Sequence, residues 1–187
     1  MTSVPEELFS SCTEVTTFES VFAHCEDLYT VPSDLFKNNT KVTSFENAFY
    51  SSGIQEVPED LFALCTKVKT FSSLFAACDN LTEVPAGLFR NCPDVSRFSG
   101  TFAWCYKLQS VPVGIFDGNR RVVSFNIVFM NCFKISGESP YTEIGGVRYH
   151  LYERINNPEE FITPTSYGTA LGDSNWTDKD NIPISWK

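Results

Sequence analysis

A Val-Pro pair returns along this chain at Val4-Pro5, Val31-Pro32, Val57-Pro58, Val84-Pro85 and Val111-Pro112, at spacings of 27, 26, 27 and 27 residues. Self-similarity at a fixed period of this size is the mark of a stacked repeat architecture. One unit is too short to enclose a core, so each must lay its apolar face against the next. Phenylalanine shows which positions do so. Fifteen of the 17 phenylalanines fall in three columns: Phe9, Phe36, Phe62, Phe89 and Phe116; Phe18, Phe45, Phe71, Phe98 and Phe125; and Phe22, Phe49, Phe75, Phe102 and Phe129. Aliphatic columns accompany them, Val15 to Val122 and Leu28 to Ile135. The pattern predicts aromatic rings from successive units piled into one dry spine, each buried ring contributing about 1.5–3 kcal/mol of gross transfer free energy. The second unit is one residue short near Ser51-Ser52-Gly53.

Within a unit, Pro followed by acids (Pro5-Glu6-Glu7, Pro58-Glu59-Asp60) fits the first turn of a helix, where a missing N–H is harmless and carboxylates are favoured. The short β-branched segments Val15-Phe18 and Leu81-Val84 read as parallel strands. The expected fold is thus an α/β solenoid of short parallel strands and short helical turns, about five 27-residue coils over residues 4–136. A C-terminal cap over 137–187 follows. In it Tyr141-Ile144, Gly145-Gly146 and Val147-Tyr152 read as a β-hairpin with a two-residue turn, and residues 167–187 as a degenerate closing repeat ending Ile182-Pro183-Ile184-Ser185-Trp186. The N-terminus shows no matching cap, which predicts either more chain before Met1 or an end that pairs with something.

The pattern Phe-x-x-Cys-x-x-Leu-x-x-Val-Pro, in register over residues 4–136, resembles the BspA-like, or Treponema-type, leucine-rich repeat. The resemblance implies a secreted or bacterial cell-surface protein, with adhesion or host-protein binding proposed for some members and no catalytic motif to carry over. The 27-residue period departs from that family's shorter unit.

Seven cysteines are present. Cys12, Cys65 and Cys92 share a column with Asn39 and Asn119; Cys25, Cys78, Cys105 and Cys132 share another with Ser52. Cysteine alternating with Asn and Ser points to a small group tucked against backbone. No spacing suits zinc, an odd count disfavours a disulfide ladder, and no acidic loop of the EF-hand kind is present. No metal and no cofactor are expected. Nor is catalysis: His24 and His150 have no repeating partners, no nucleophile is singled out, and Glu6-Glu7 and Glu59-Asp60 are explained by capping.

The net charge of −9 and pI of about 4.7 argue against nucleic acid, whose phosphates require a basic footprint. No apolar run spans a bilayer, and Met1-Pro5 is no secretory signal. The remaining function class is a non-catalytic binding or adhesion module for a protein partner, with a carbohydrate-binding module or a structural spacer as alternatives. Candidate binding residues lie where columns fail to repeat. Lys69 and Arg97 stand in outward columns of small hydroxyls, Thr16-Thr43-Ser96 and Thr17-Ser44-Thr70. Trp104, Tyr106 and Phe133 replace the small, polar or acidic residues of other units and are expected together on one edge, either free for a partner or packed under the C-terminal segment.

Overall fold

The computed structural model describes residues 2–172 and 174–187. The chain winds so that residues one period apart are hydrogen-bonded. A parallel rung runs Thr17, Ser44, Thr70, Arg97, Ser124 and on to Ser166 in the C-terminal region. Behind it the phenylalanines form the predicted spine. Phe45, Phe71 and Phe98 are fully buried, and their rings stack at 5.9 Å in each step. First-column rings wedge between them: Phe62 lies 4.7 Å from Phe45 and 4.8 Å from Phe71, tilted in both cases. Stacking along a column and tilting between columns are the two arrangements that the ring quadrupole favours.

The local structure differs from the sequence expectation. Among the described residues of 4–136 no helix forms, and the segments read as strands contribute single rungs, with none at Leu81-Val84. The half-unit after Val-Pro is a succession of tight turns, with Leu8, Ser10, Cys12 and Val15 each donating N–H to the carbonyl three residues back. Bonds at alternate residues do not build a helix, which requires them in succession.

The second half-unit alternates two kinds of peptide. Val21, Ala23 and Cys25 close turns onto Phe18, Ser20 and Phe22, while Phe18, Ser20, Phe22 and His24 donate across to the carbonyls of Ser44, Glu46, Ala48 and Tyr50. A positive φ at the third residue of the turns makes this possible: Ser20, Asn47, Ser73, Gly100, Ile127 and Thr169 have φ between 50° and 64°. That is the signature of type II turns, here mostly at residues other than glycine. His24, Ser51, Ala77, Trp104 and Asn131 form a second such column.

This geometry aligns peptides along the stack. The carbonyl of Ser44 accepts from Phe18, and the N–H of Phe45, in the same peptide unit, donates to Thr70. Four such rows run through the windings, three continuing into Ser166, Gly168 and Ala170. Each peptide carries about 3.5 D. The rows point carbonyls toward the N-terminal end and N–H groups toward the C-terminal end, the reverse of an α-helix. Two sparser rows run the other way, through Thr16-Thr43-Lys69 and through Tyr29-Gln55.

The missing residue of the second winding falls at Gly53, outside these four rows. There the chain passes so close to the first winding that a Cβ would sit 2.0 Å from the Glu26 carbonyl oxygen; glycine alone fits.

After Ile135 the chain leaves the repeat. Strand β1 (Ser136–Gly137) is followed by an antiparallel hairpin, β2 (Tyr141–Ile144) and β3 (Val147–His150), turned at Gly145 and Gly146, both at positive φ. A 3-10 helix covers Leu151–Asn156. The chain then lays Thr165 to Ala170 along the fifth winding and pairs β4 (Asn175–Trp176) in parallel with β1. The closing winding therefore begins ahead of residue 167, and its last piece returns as a short 3-10 helix at Ile184–Trp186. Trp186 stacks on Tyr167 at 4.5 Å and meets Phe125 at 6.5 Å; Trp176 meets Phe129 edge-on at 5.7 Å.

Candidate binding surface

The expected aromatic site divides. Tyr106 and Phe133 stand one winding apart and stack at 6.2 Å with rings 11° from parallel. They remain 44% and 48% exposed, so the C-terminal segment does not cover them. That segment reaches only the backbone there, Asn175 donating its side-chain amide to the Phe133 carbonyl at 2.9 Å. Trp104 does not join the pair. It is half-buried, makes no ring contact among the described residues, and occupies a left-handed position at φ 61°. The column of the exposed pair holds Glu26 in the first winding and Asp79 in the third, so acids give way to aromatics along one edge.

Lys69 and Arg97 are exposed on the hydroxyl-bearing columns, and neither forms an ion pair among the described residues. Their backbones are fixed by the rung: the Lys69 carbonyl accepts from Ser96 at 2.9 Å and from Arg97 at 3.3 Å. No hydrogen bond or cation–ring contact joins either side chain to the aromatic pair.

The cysteines and asparagines serve the stack. Asn39 donates to the carbonyls of Phe9 and Cys12, and Asn119 to those of Phe89 and Cys92, at 2.9–3.2 Å. In the other column the thiols of Cys78, Cys105 and Cys132 donate to the carbonyls of Phe49, Phe75 and Phe102 at 3.0, 3.1 and 2.9 Å. Burial pushes the thiols of Cys65, Cys92 and Cys132 up to about 12 and that of Cys78 up to about 11. All seven cysteines are free, and among the described residues no three His, Cys, Asp or Glu side chains converge.

Two features have no counterpart in the sequence reading. Arg154 is fully buried and donates to the carbonyls of Asn119 and Phe116 at 2.9 and 3.0 Å. These are the fifth winding's equivalents of the carbonyls that Asn39 and Asn119 engage. Its guanidinium also lies 4.7 Å from the Phe161 ring centre and 5.3 Å from that of Phe125. An arginine thus ends the Asn/Cys column. Burial lowers its pKa to about 9, which leaves it a cation at neutral pH.

The second is a Ser-His-Asp cluster. Ser139 Oγ lies 2.8 Å from His150 Nδ1 and donates to Asp178 Oδ2 at 2.6 Å; Tyr152 adds a hydroxyl to the same carboxylate. A hydroxyl has one proton. If Ser139 gives it to Asp178, the ring must donate to Ser139. A nucleophile requires the opposite, an imidazole that accepts the serine proton. Ser139 is also fully buried. The cluster fastens the hairpin to the closing segment.

No family profile matches the chain, and no curated protein does. Solved structures similar to it include a chain of the Drosophila Toll–Spatzle complex in its glycosylated form, at 19% identity and a TM-score of 0.45, over 66% of this chain and 16% of that one. The T. pallidum leucine-rich repeat protein is similar at 20% identity and a TM-score of 0.29, over 65% of this chain and 61% of that one. A leucine-rich cell surface protein from Faecalibacterium prausnitzii A2-165 is similar at 17% identity and a TM-score of 0.28, over 80% of this chain and 46% of that one. The chain thus spans less than two thirds of each. At such scores the winding is better described by its own ladder and ring columns than by these likenesses.

Proposed function

We propose that the chain is a leucine-rich-repeat-like solenoid, with five coils over 4–136 and a cap over 137–187, that serves as a non-catalytic, surface-exposed or secreted module holding a protein partner. The reading rests on one observation: Tyr106 and Phe133 form an ordered stack yet stay nearly half exposed. Rings held in place by neighbouring windings lose little freedom on binding, and such aromatics are the side chains that dominate protein interfaces. The acid-to-aromatic change along the column gives the edge its direction, and Lys69 and Arg97 supply unpaired charge on a separate strip. The extracellular or bacterial cell-surface setting follows from the sequence resemblance.

The test compares the chain with the double variant Tyr106→Ala/Phe133→Ala on an array of extracellular proteins and on a glycan array. Loss of protein binding by at least about tenfold, with an unchanged melting temperature, is expected. Glycan binding that depends on the same rings would replace the proposal with a carbohydrate-binding module. Binding indifferent to both changes would leave a spacer.

A further inference from the structure

The chain carries 23 acids and 14 bases, so there are acids enough for every base to have one beside it. On the face that bears the parallel rung, three bases do not. Residues 66–72, 93–99 and 120–126 hold Lys67, Lys69, Arg97, Arg120 and Arg121 against the single acid Asp94. Arg120 is engaged by Glu160, and Arg121 by Asp94 at 3.0 Å. Lys67, Lys69 and Arg97 are exposed and form no ion pair among the described residues. These three windings lie inside the stack, with rungs of the chain on either side of them.

The cations are set close together by the register. In the column of Lys67 the neighbours are turned away: Lys41 pairs with Glu14 at 2.6 Å, and Asp94 with Arg121. Lys69 follows two residues on, with Val68 buried between them. Arg97 stands on the next winding, its N–H bound to the Lys69 carbonyl at 3.3 Å. Like charges on adjoining strands repel, and a local rule broken without compensation marks a functional surface. The hydroxyl protons beside them are already given within the chain: Thr43 to the Thr16 carbonyl, Ser96 to the Lys69 carbonyl, and Thr70 to Ser72. The three cations are thus the main donors left for a ligand. Next to them opens a hollow of about 440 Å³ lined by Lys69, Asp94, Ser96, Arg121, Val123 and Ile162. Ile162 is 44% exposed, its N–H fixed on the Arg120 carbonyl at 2.9 Å. An apolar wall therefore stands beside free positive charge.

We propose that, on the reading that the partner is a protein, this strip docks an acidic segment of it: carboxylates meet Lys67, Lys69 and Arg97, and one apolar side chain seats against Val123 and Ile162. Charge complementarity selects the occupant. The net charge of −9 repels a long polyanion as a whole, whereas a short acidic segment meets only the strip. A neutral sugar would find no aromatic ring among the lining residues to stack on.

A short fluorescent peptide alternating Asp and Leu is titrated against the whole chain, with its Asn-Leu counterpart as the uncharged control. Saturable binding of the aspartate peptide is expected, weaker by at least about tenfold for the asparagine one. The triple variant K67Q/K69Q/R97Q should lose about tenfold, while K134Q/K179Q/K187Q, with the same change in net charge, should lose less than about twofold. Equal losses would reduce the effect to general charge and overturn the site. An unchanged affinity in I162S would overturn the apolar seat, where a loss of about threefold is expected. Dextran sulfate that saturates the strip while the aspartate peptide does not would assign it to polyanions of another class and end the proposal. So would self-association in sedimentation that K67Q/K69Q/R97Q abolishes, which would make the occupant a second copy. The Tyr106→Ala/Phe133→Ala variant should bind the peptide unchanged, so failure of the strip and failure of the aromatic edge are read separately.

Discussion

The first winding and the last solve the same problem in opposite ways. At the C-terminal end the spine is closed by Trp176, Trp186, Leu171 and Ala170, all buried, and the Asn/Cys column is completed by Arg154. At the N-terminal end Phe9, Val15, Val21, Cys12 and Cys25 are only half-buried, and among the described residues nothing donates to the carbonyls of Thr17, Glu19, Val21 and Ala23. One end resembles the interior and the other a cut through it. Stability in a stack is roughly a sum over interfaces, so the same residue type should matter differently at its two ends.

The largest effect expected is therefore positional. Phe71→Ala, in the fully buried middle, should cost about 3–5 kcal/mol, whereas Phe9→Ala, at the open face, should cost less than half of that. Urea unfolding of the two variants measures the gap, and equal losses would refute the contrast between ends. Next comes Arg154→Leu, which keeps an apolar body but strands the carbonyls of Phe116 and Asn119. A loss of about 2–4 kcal/mol is expected, beyond what Tyr167→Leu, which removes only the stack on Trp186, would cause.

The third prediction concerns pH. The buried thiols hold their protons up to about 11 or 12, while in the unfolded chain a thiol ionises near 9. Between those values the folded state binds more protons, so stability falls as pH rises through this window, by up to about 1.4 kcal/mol per pH unit for each thiol. The slope of unfolding free energy from pH 8.5 to 10.5 should flatten in Cys65→Ala/Cys92→Ala. In the native chain at pH 8, iodoacetamide should reach Cys12 and Cys25 at the open end and leave the five buried cysteines unmodified. The smallest effect is expected at Ile127. A β-branched residue at φ 50° is strained, and Ile127→Asn should raise the melting temperature, with a gain of about 1 kcal/mol.

What was legible in the sequence follows from what each contact is made of. The phenylalanine columns were readable because ring meets ring one period on, so both partners repeat. The hairpin was readable because Gly145-Gly146 is a local turn signal. The turn ribbon was not. Its left-handed positions carry Ser, Asn, Ala, His, Trp, Ile and Thr beside Gly100 and Gly172, a mixture with no common signal, held there by the register of the windings. Acids after Val-Pro looked like helix capping, yet the bonds fall on alternate residues and build only turns. Arg154 was invisible because its partners are backbone carbonyls, and Ser139 with Asp178 because they meet across a separation of 39 residues. Of the candidate site, the exposed pair Tyr106 and Phe133 stood out by its failure to repeat; Trp104 stood out in the same way, but it belongs to a neighbouring column of left-handed residues, and that backbone state leaves no trace in composition.

The short second winding has a practical meaning. Its deletion at Gly53 leaves the rings of Phe45 and Phe71 stacked as closely as those of Phe71 and Phe98, so the corner between Ser52 and Ile54 absorbs a change in contour length without transmitting it. The tolerance has a direction: Ser52, Gly53 and Ile54 are all buried, and the Gly53 N–H is drawn in against the Cys25 carbonyl, so this corner can shed a residue while having no room for a side chain.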